Sequence, residues 1–151
     1  MRYTRIGLAI LAFTTTLVAA DPFVGTWKLN TSKTKFKTGS APKDQTVTIM
    51  ESGGDLDIAV KGTAADGKMI STHYTIPANG GDGKVIESPY EAVSGKRIGA
   101  NERETMYSKG GKVVYTTHAK LSGGGKTLTV HSKGTNPTGQ VVDGDVTYEK
   151  Q

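Results

Sequence analysis

The stretch LDIAVKGTAADGKMISTHYTI, residues 56–76, decides the fold. Leu56, Ile58 and Val60 alternate with polar or small residues, and after an Ala-Asp-Gly-Lys turn the same period returns in Ile70, Tyr74 and Ile76. A period of two places every second side chain on one face of a half-buried strand, and glycine supplies the positive φ that a hairpin tip needs. Comparable turns are written at ADGK (65–68), GDGK (81–84), KGGK (109–112) and GGGK (123–126), each between β-rich runs. Outward from the opening hairpin, the alternation also orders Val47 and Ile49; Val113, Tyr115, Ala119 and Leu121; Leu128 and Val130; and Val142, Val146 and Tyr148. No window after residue 20 carries a helical stripe. Residues 30–44, polar, basic and interrupted by Pro42, read as a loop with room for one helical turn and with Phe36 as a plug against the body.

About ten strands are predicted, at 23–29, 45–52, 56–62, 69–76, 84–87, 90–98, 102–108, 113–121, 127–134 and 140–149. A meander of that length curls until its edges meet, because an open sheet would present unpaired edges to other chains. The expected architecture is therefore all-β, an antiparallel up-and-down barrel of 8 to 10 strands in one domain, 21–151.

Residues 1–20 read as an export signal. Arg2 and Arg5 precede an apolar run to Val18, and Ala19 and Ala20 supply a small-residue cleavage site. The run is shorter than the roughly 20 residues that cross a bilayer, so cleavage after Ala20 and a periplasmic or secreted product are expected, without stable membrane insertion. Cleavage leaves 131 of the 151 residues, with 17 bases against 14 acids. The lysines are spread through turns, which argues against nucleic acid as a partner. The chain has no cysteine, so the fold must hold without disulfides.

The segment FVGTWKL (23–29) resembles the first strand of the calycins, the lipocalins and fatty-acid-binding proteins, and VTYEK (146–150) is similar to the last strand of the fatty-acid-binding group. In layout the whole chain looks like secreted bacterial lipocalin-like proteins, a group whose activity is generally unassigned. The resemblance implies that Gly25 and Trp27 close one end of the barrel, Gly25 by allowing close approach and Trp27 as a buried cork whose indole N–H finds a partner. Two features depart from the fatty-acid-binding pattern. Val146 stands where an Arg-X-Tyr would place arginine before Tyr148, and 30–44 is too short for that family's two lid helices.

Arg103 shares a face of its strand with Thr105 and Tyr107. With that face inward it enters the barrel and would favour a carboxylate, sulfate or phosphate; in the reversed register it is solvated. His73, His118 and His131 lie on separate strands, each opposite its strand's apolar set, with neither a His-X-His nor a cysteine to make a metal site. No Gly-X-Ser-X-Gly elbow is present, and GTNPTG (134–139) reads as a turn. The expected function is thus an exported, soluble, monomeric barrel, not an enzyme and without cofactor or metal. It would bind a small hydrophobic or amphipathic molecule, lipids included, with Arg103, Tyr74, Tyr107, Tyr115 and Tyr148 as cavity contacts. The alternative is a packed barrel without a cavity, acting as an envelope interaction or structural module.

Overall fold

The computed structural model describes residues 19–151. Of the expected export segment, 1–20, all but Ala19 and Ala20 lies outside the described residues. Twelve strands follow in order: β1 (Gly25–Leu29), β2 (Lys35–Thr38), β3 (Asp44–Ser52), β4 (Asp55–Thr63), β5 (Met69–Pro77), β6 (Gly80–Asp82), β7 (Lys84–Glu87), β8 (Ala92–Gly99), β9 (Glu102–Lys109), β10 (Lys112–Ser122), β11 (Thr127–Thr135) and β12 (Val141–Lys150). They form one sheet in the order β6-β8-β9-β10-β11-β12-β1-β3-β4-β5-β7, with β2 on β12. All pairings among the described residues are antiparallel. The result is an all-β, nearly closed antiparallel barrel.

The two ends of that order, β6 and β7, are consecutive in the chain, and their connection draws the barrel together. Gly80 to Asp82 pair with Lys96 to Ser94 on β8, after which the chain crosses and Val85 pairs with Tyr74 on β5. Gly83 sits at the switch and donates its N–H to the Val93 carbonyl at 2.8 Å. A Cβ there would collide with the Thr75 carbonyl oxygen and stand 2.9 Å from a Val93 methyl, so only glycine lets the two edges approach so closely. This corrects the reading of GDGK (81–84) as a hairpin tip: it is the kink of a strand that changes partners.

The stretch 30–44 also differs from the expected loop. It holds a 3-10 turn, Thr31–Lys33, capped by the Asn30 side chain, which accepts from the Lys33 N–H at 3.3 Å. The chain then resumes as β2 along the upper part of β12, pairing Phe36 with Gly144 and Thr38 with Asp143. β1 pairs with the lower part of the same strand, Trp27 opposite Lys150 and Leu29 opposite Tyr148. β1 and β2 are therefore one interrupted stave. Together with the split stave of β6 and β7, this raises the count above the expected 8 to 10.

Alternation places the core. On β5, Ile70, Thr72, Tyr74 and Ile76 are buried while Ser71, His73 and Thr75 turn outward. Trp27, Phe23, Leu56 and Ile76 are the largest wholly buried side chains, each worth on the order of 1.5–3 kcal/mol or more relative to exposure. The Trp27 indole donates to the Phe23 carbonyl at 2.9 Å, which meets the requirement of a buried N–H. What lies against Gly25 is the Lys150 side chain: a Cβ would stand 2.7 Å from Lys150 Cε, and φ is +147°. The ammonium of Lys150 then lies 5.3 Å from the Trp27 ring centre, a cation–π contact at the barrel's lower edge.

Candidate functional site

The barrel encloses a cavity of about 150 Å³. Different strands supply its lining. β3, β4 and β12 contribute aliphatic side chains, among them Val47, Leu56, Ile58, Val60, Val142 and Val146. β5, β9, β10 and β11 add hydroxyls, namely Thr72 and Tyr74, Thr105 and Tyr107, Tyr115 and Thr117, and Ser132, beside Ile70, Ile76, Ala119, Leu128 and Val130. Each of these polar residues occupies an inward turn of its strand's alternation; on β10 a bulge between Val113 and Tyr115 breaks the period, so Val113, expected on the face of Tyr115, is exposed instead.

Four tyrosine rings organise the hydroxyl wall. Tyr74 meets Tyr107 edge to face at 5.5 Å, and Tyr90 lies 5.0 Å from Tyr107 and stacks on Tyr115 at 5.9 Å. The Tyr74 and Tyr107 hydroxyls share a hydrogen bond of 2.6 Å, and the Tyr90 hydroxyl donates to the Thr135 carbonyl at 2.6 Å. Burial pushes the Tyr74 phenol up to about 12, and it raises Tyr90, Tyr107, Tyr115 and Tyr148 as well. Tyr148 lines the cavity from β12 and donates its hydroxyl to Gln45 Oε1. Gln45, Thr72, Thr117 and Ser132 are cavity residues that the sequence did not single out, and Tyr90 supports the wall from behind without lining the cavity. The alternation itself was the signal for Thr72, Thr117 and Ser132, each two residues from an inward apolar neighbour.

Arg103 faces inward with Tyr107, at the closed end of the cavity, and among the described residues it is the one charged side chain lining it. Both of its terminal nitrogens have protein partners. Nη1 donates to the Ala78 carbonyl at 2.9 Å, Nη2 to the Pro77 carbonyl at 3.4 Å, and Asp21 Oδ2 lies 3.5 Å away. The guanidinium also stands 5.7 Å from the Phe23 ring centre. Burial lowers its pKa, and the Asp21 carboxylate opposes that shift. Arg97 holds the same Asp21 oxygen at 2.7 Å. Two arginines and one aspartate, brought from three parts of the chain, thus fasten the residues before β1 across the lower end.

The upper end is the mouth. Ser40 and Pro42, between β2 and β3, face Asn136, Pro137 and Thr138, between β11 and β12. The Asn136 side chain orders that rim by accepting from the Thr138 N–H at 3.2 Å and the Gln140 N–H at 2.9 Å. A second depression, of about 270 Å³, adjoins through Ser40 and Thr138 and reaches Ala64, Asp66 and Gln140.

The histidines stand on the outer face, each against a carboxylate: His73 with Asp57 at 2.8 Å, His118 with Glu102 at 2.5 Å and His131 with Asp145 at 2.7 Å. None reaches the cavity. No family model matches the sequence, and no curated protein matches it. Among solved structures, a redesigned β-barrel, mFAP1, bound to DFHBI is similar at 14% identity and a TM-score of 0.43, over 85% of this chain and 95% of that one. A de novo designed fluorescence-activating β-barrel is similar at 16% identity and a TM-score of 0.44, over 88% of this chain and 100% of that one. Likeness to the calycins in sequence rests on residues 23–29 and 146–150 alone.

Proposed function

We propose that this chain is an exported, monomeric, calycin-like barrel that binds one small, neutral molecule with an apolar body and a hydrogen-bonding group. The observation that carries the reading is the mixed lining of the cavity, in which aliphatic side chains from β3, β4, β5, β11 and β12 stand among hydroxyls from β5, β9, β10, β11 and β12. The apolar body would leave water against the aliphatic side chains at about 25 cal/mol per Å², and the hydroxyls would orient the polar group. Volume limits the ligand. An engineered apolar cavity of about 150 Å³ accepts benzene, so the interior suits a molecule of one ring, whereas a long acyl chain needs more room than the closed barrel offers. Charge limits it further. Asp21 already balances the Arg103 charge, the guanidinium donates to Pro77 and Ala78, and Val146 stands where an Arg-X-Tyr would place an arginine, which favours a neutral ligand over a carboxylate.

The packed-barrel reading, an interaction module without cargo, draws on the same volume, which is below the roughly 300–1,000 Å³ of most ligand pockets. Native mass spectrometry of the protein purified from an exporting host, followed by displacement of a small apolar dye, separates the two. A stoichiometric one-ring ligand, or saturable dye binding in a 1:1 ratio, supports the carrier. A clean apo mass with no dye uptake refutes it and leaves the interaction module.

A further inference from the structure

Asp21 is the first described residue to be buried, after two exposed alanines, and each of its polar groups is engaged. Its N–H donates to Glu51 Oε1 at 2.8 Å. Its carbonyl accepts from the Val24 N–H at 3.0 Å, and Oδ1 accepts from the Phe23 N–H at 3.0 Å. Oδ2 takes Arg97 at 2.7 Å and lies 3.5 Å from Arg103. A residue in an undemanding leader would need none of this. The packing of the closed end begins at Asp21, and the bond before it is the one the small residues Ala19 and Ala20 mark for cleavage.

We infer that the Ala20–Asp21 bond is a processing site and that the α-ammonium released there is a structural group, paired with Glu51 across the closed end of the barrel. A signal peptidase of the exporting host hydrolyses the bond with one water. The hydroxyl goes to the Ala20 carbonyl carbon, which departs as a carboxylate, and the Asp21 nitrogen leaves with the added proton. With an ordinary pKa of about 7.7–8.0, that amine is largely protonated at neutral pH. The nitrogen need not move, since it already lies within hydrogen-bond distance of the Glu51 carboxylate. Processing replaces one amide donor by a cation with three N–H groups, so removing the leader tightens the end of the barrel that Asp21, Arg97 and Arg103 close. No ligand in the cavity is needed for this to happen.

The test begins with the full chain in an exporting host, whose product is identified by N-terminal sequencing and intact mass. Asp21 as the first residue is expected, and any other start overturns the inference. The processed protein and a form that keeps Ala19 and Ala20, each with Glu51 and with Glu51→Gln, are then unfolded side by side. Both forms contain every strand of the barrel. Glu51→Gln should lower the folding equilibrium constant of the processed protein by roughly two- to fivefold more than that of the extended one, as loss of a partly exposed ion pair would. Equal losses in the two forms would show that the ammonium contributes nothing.

Discussion

Replacing Ala119 by leucine adds three carbons to an inward position of β10 that lines the cavity. In a fully packed interior such a change costs about 1–3 kcal/mol through overpacking. Here the sign should reverse. Empty volume is destabilising by about 24 cal/mol per Å³, so a cavity of about 150 Å³ leaves on the order of 3.6 kcal/mol unrealised relative to a filled barrel. Three buried carbons at about 0.8 kcal/mol each recover up to about 2.4 kcal/mol. Ordering the leucine side chain returns about 0.5–1 kcal/mol of that. The expected gain is about 1.5 kcal/mol, a rise in Tm of roughly 5 °C for a domain of this size. The same side chain occupies the ligand's space, so dye binding should fall at least tenfold as the melting point rises. Differential scanning calorimetry and dye titration on the same preparation read both quantities. A lower Tm, or a higher one with dye affinity intact, would refute the claim that the space beside Ala119 is empty and is the binding site.

Arg103→Leu should destabilise by about 1.5–3 kcal/mol in urea unfolding, because Pro77, Ala78 and Asp21 lose a charged donor while Arg97 keeps part of the cluster. Among folded molecules it should change affinity for anionic and neutral probes alike, and a selective loss of anions would make Arg103 an anchor after all. Gly83→Ala should cost about 1–3 kcal/mol and speed exchange of the amide at position 83, which donates to the Val93 carbonyl, since the new Cβ meets the Thr75 carbonyl. Alkaline pH should unfold the barrel through its phenols. Their folded pKa values lie above the ordinary value near 10, so their contribution is complete below about pH 10 and disappears as pH rises through about 12, where Tyr74 ionises. Phenolate absorbance should therefore appear together with loss of the β-sheet circular dichroism signal, and an early titration near pH 10 in the folded protein would contradict the buried wall.

The residues of β4 and β5 show why so much of the barrel was readable in advance. Whether Leu56, Ile58 and Val60 share a face depends only on their spacing, and whether 65–68 turns depends on its own glycine. β2 and β6 carry no such local signal. Lys-Phe-Lys-Thr is too short to display a period and Gly-Gly-Asp has no preference for strand. They are strands because β12 and β8 offer them open backbone donors and acceptors.

The candidate site divides in the same way. That Tyr74, Tyr107, Tyr115 and Tyr148 belong with the apolar faces follows from alternation, and the inward direction of Arg103 follows from Tyr107 once one register is chosen. That Arg103 pairs with Asp21 does not, because Asp21 lies 82 positions earlier in the chain and meets it only when the barrel closes. Nor does the cavity, since emptiness belongs to the sum of facing volumes and not to any one strand. By itself, the sequence determined most of the strands, most of the turns and most of the sorting of side chains into inner and outer faces, all of which act over a few residues. Only the tertiary structure decided how the edges meet at Gly83, which charges neutralise one another and how much space remains, because each depends on atoms that the chain holds far apart until it folds.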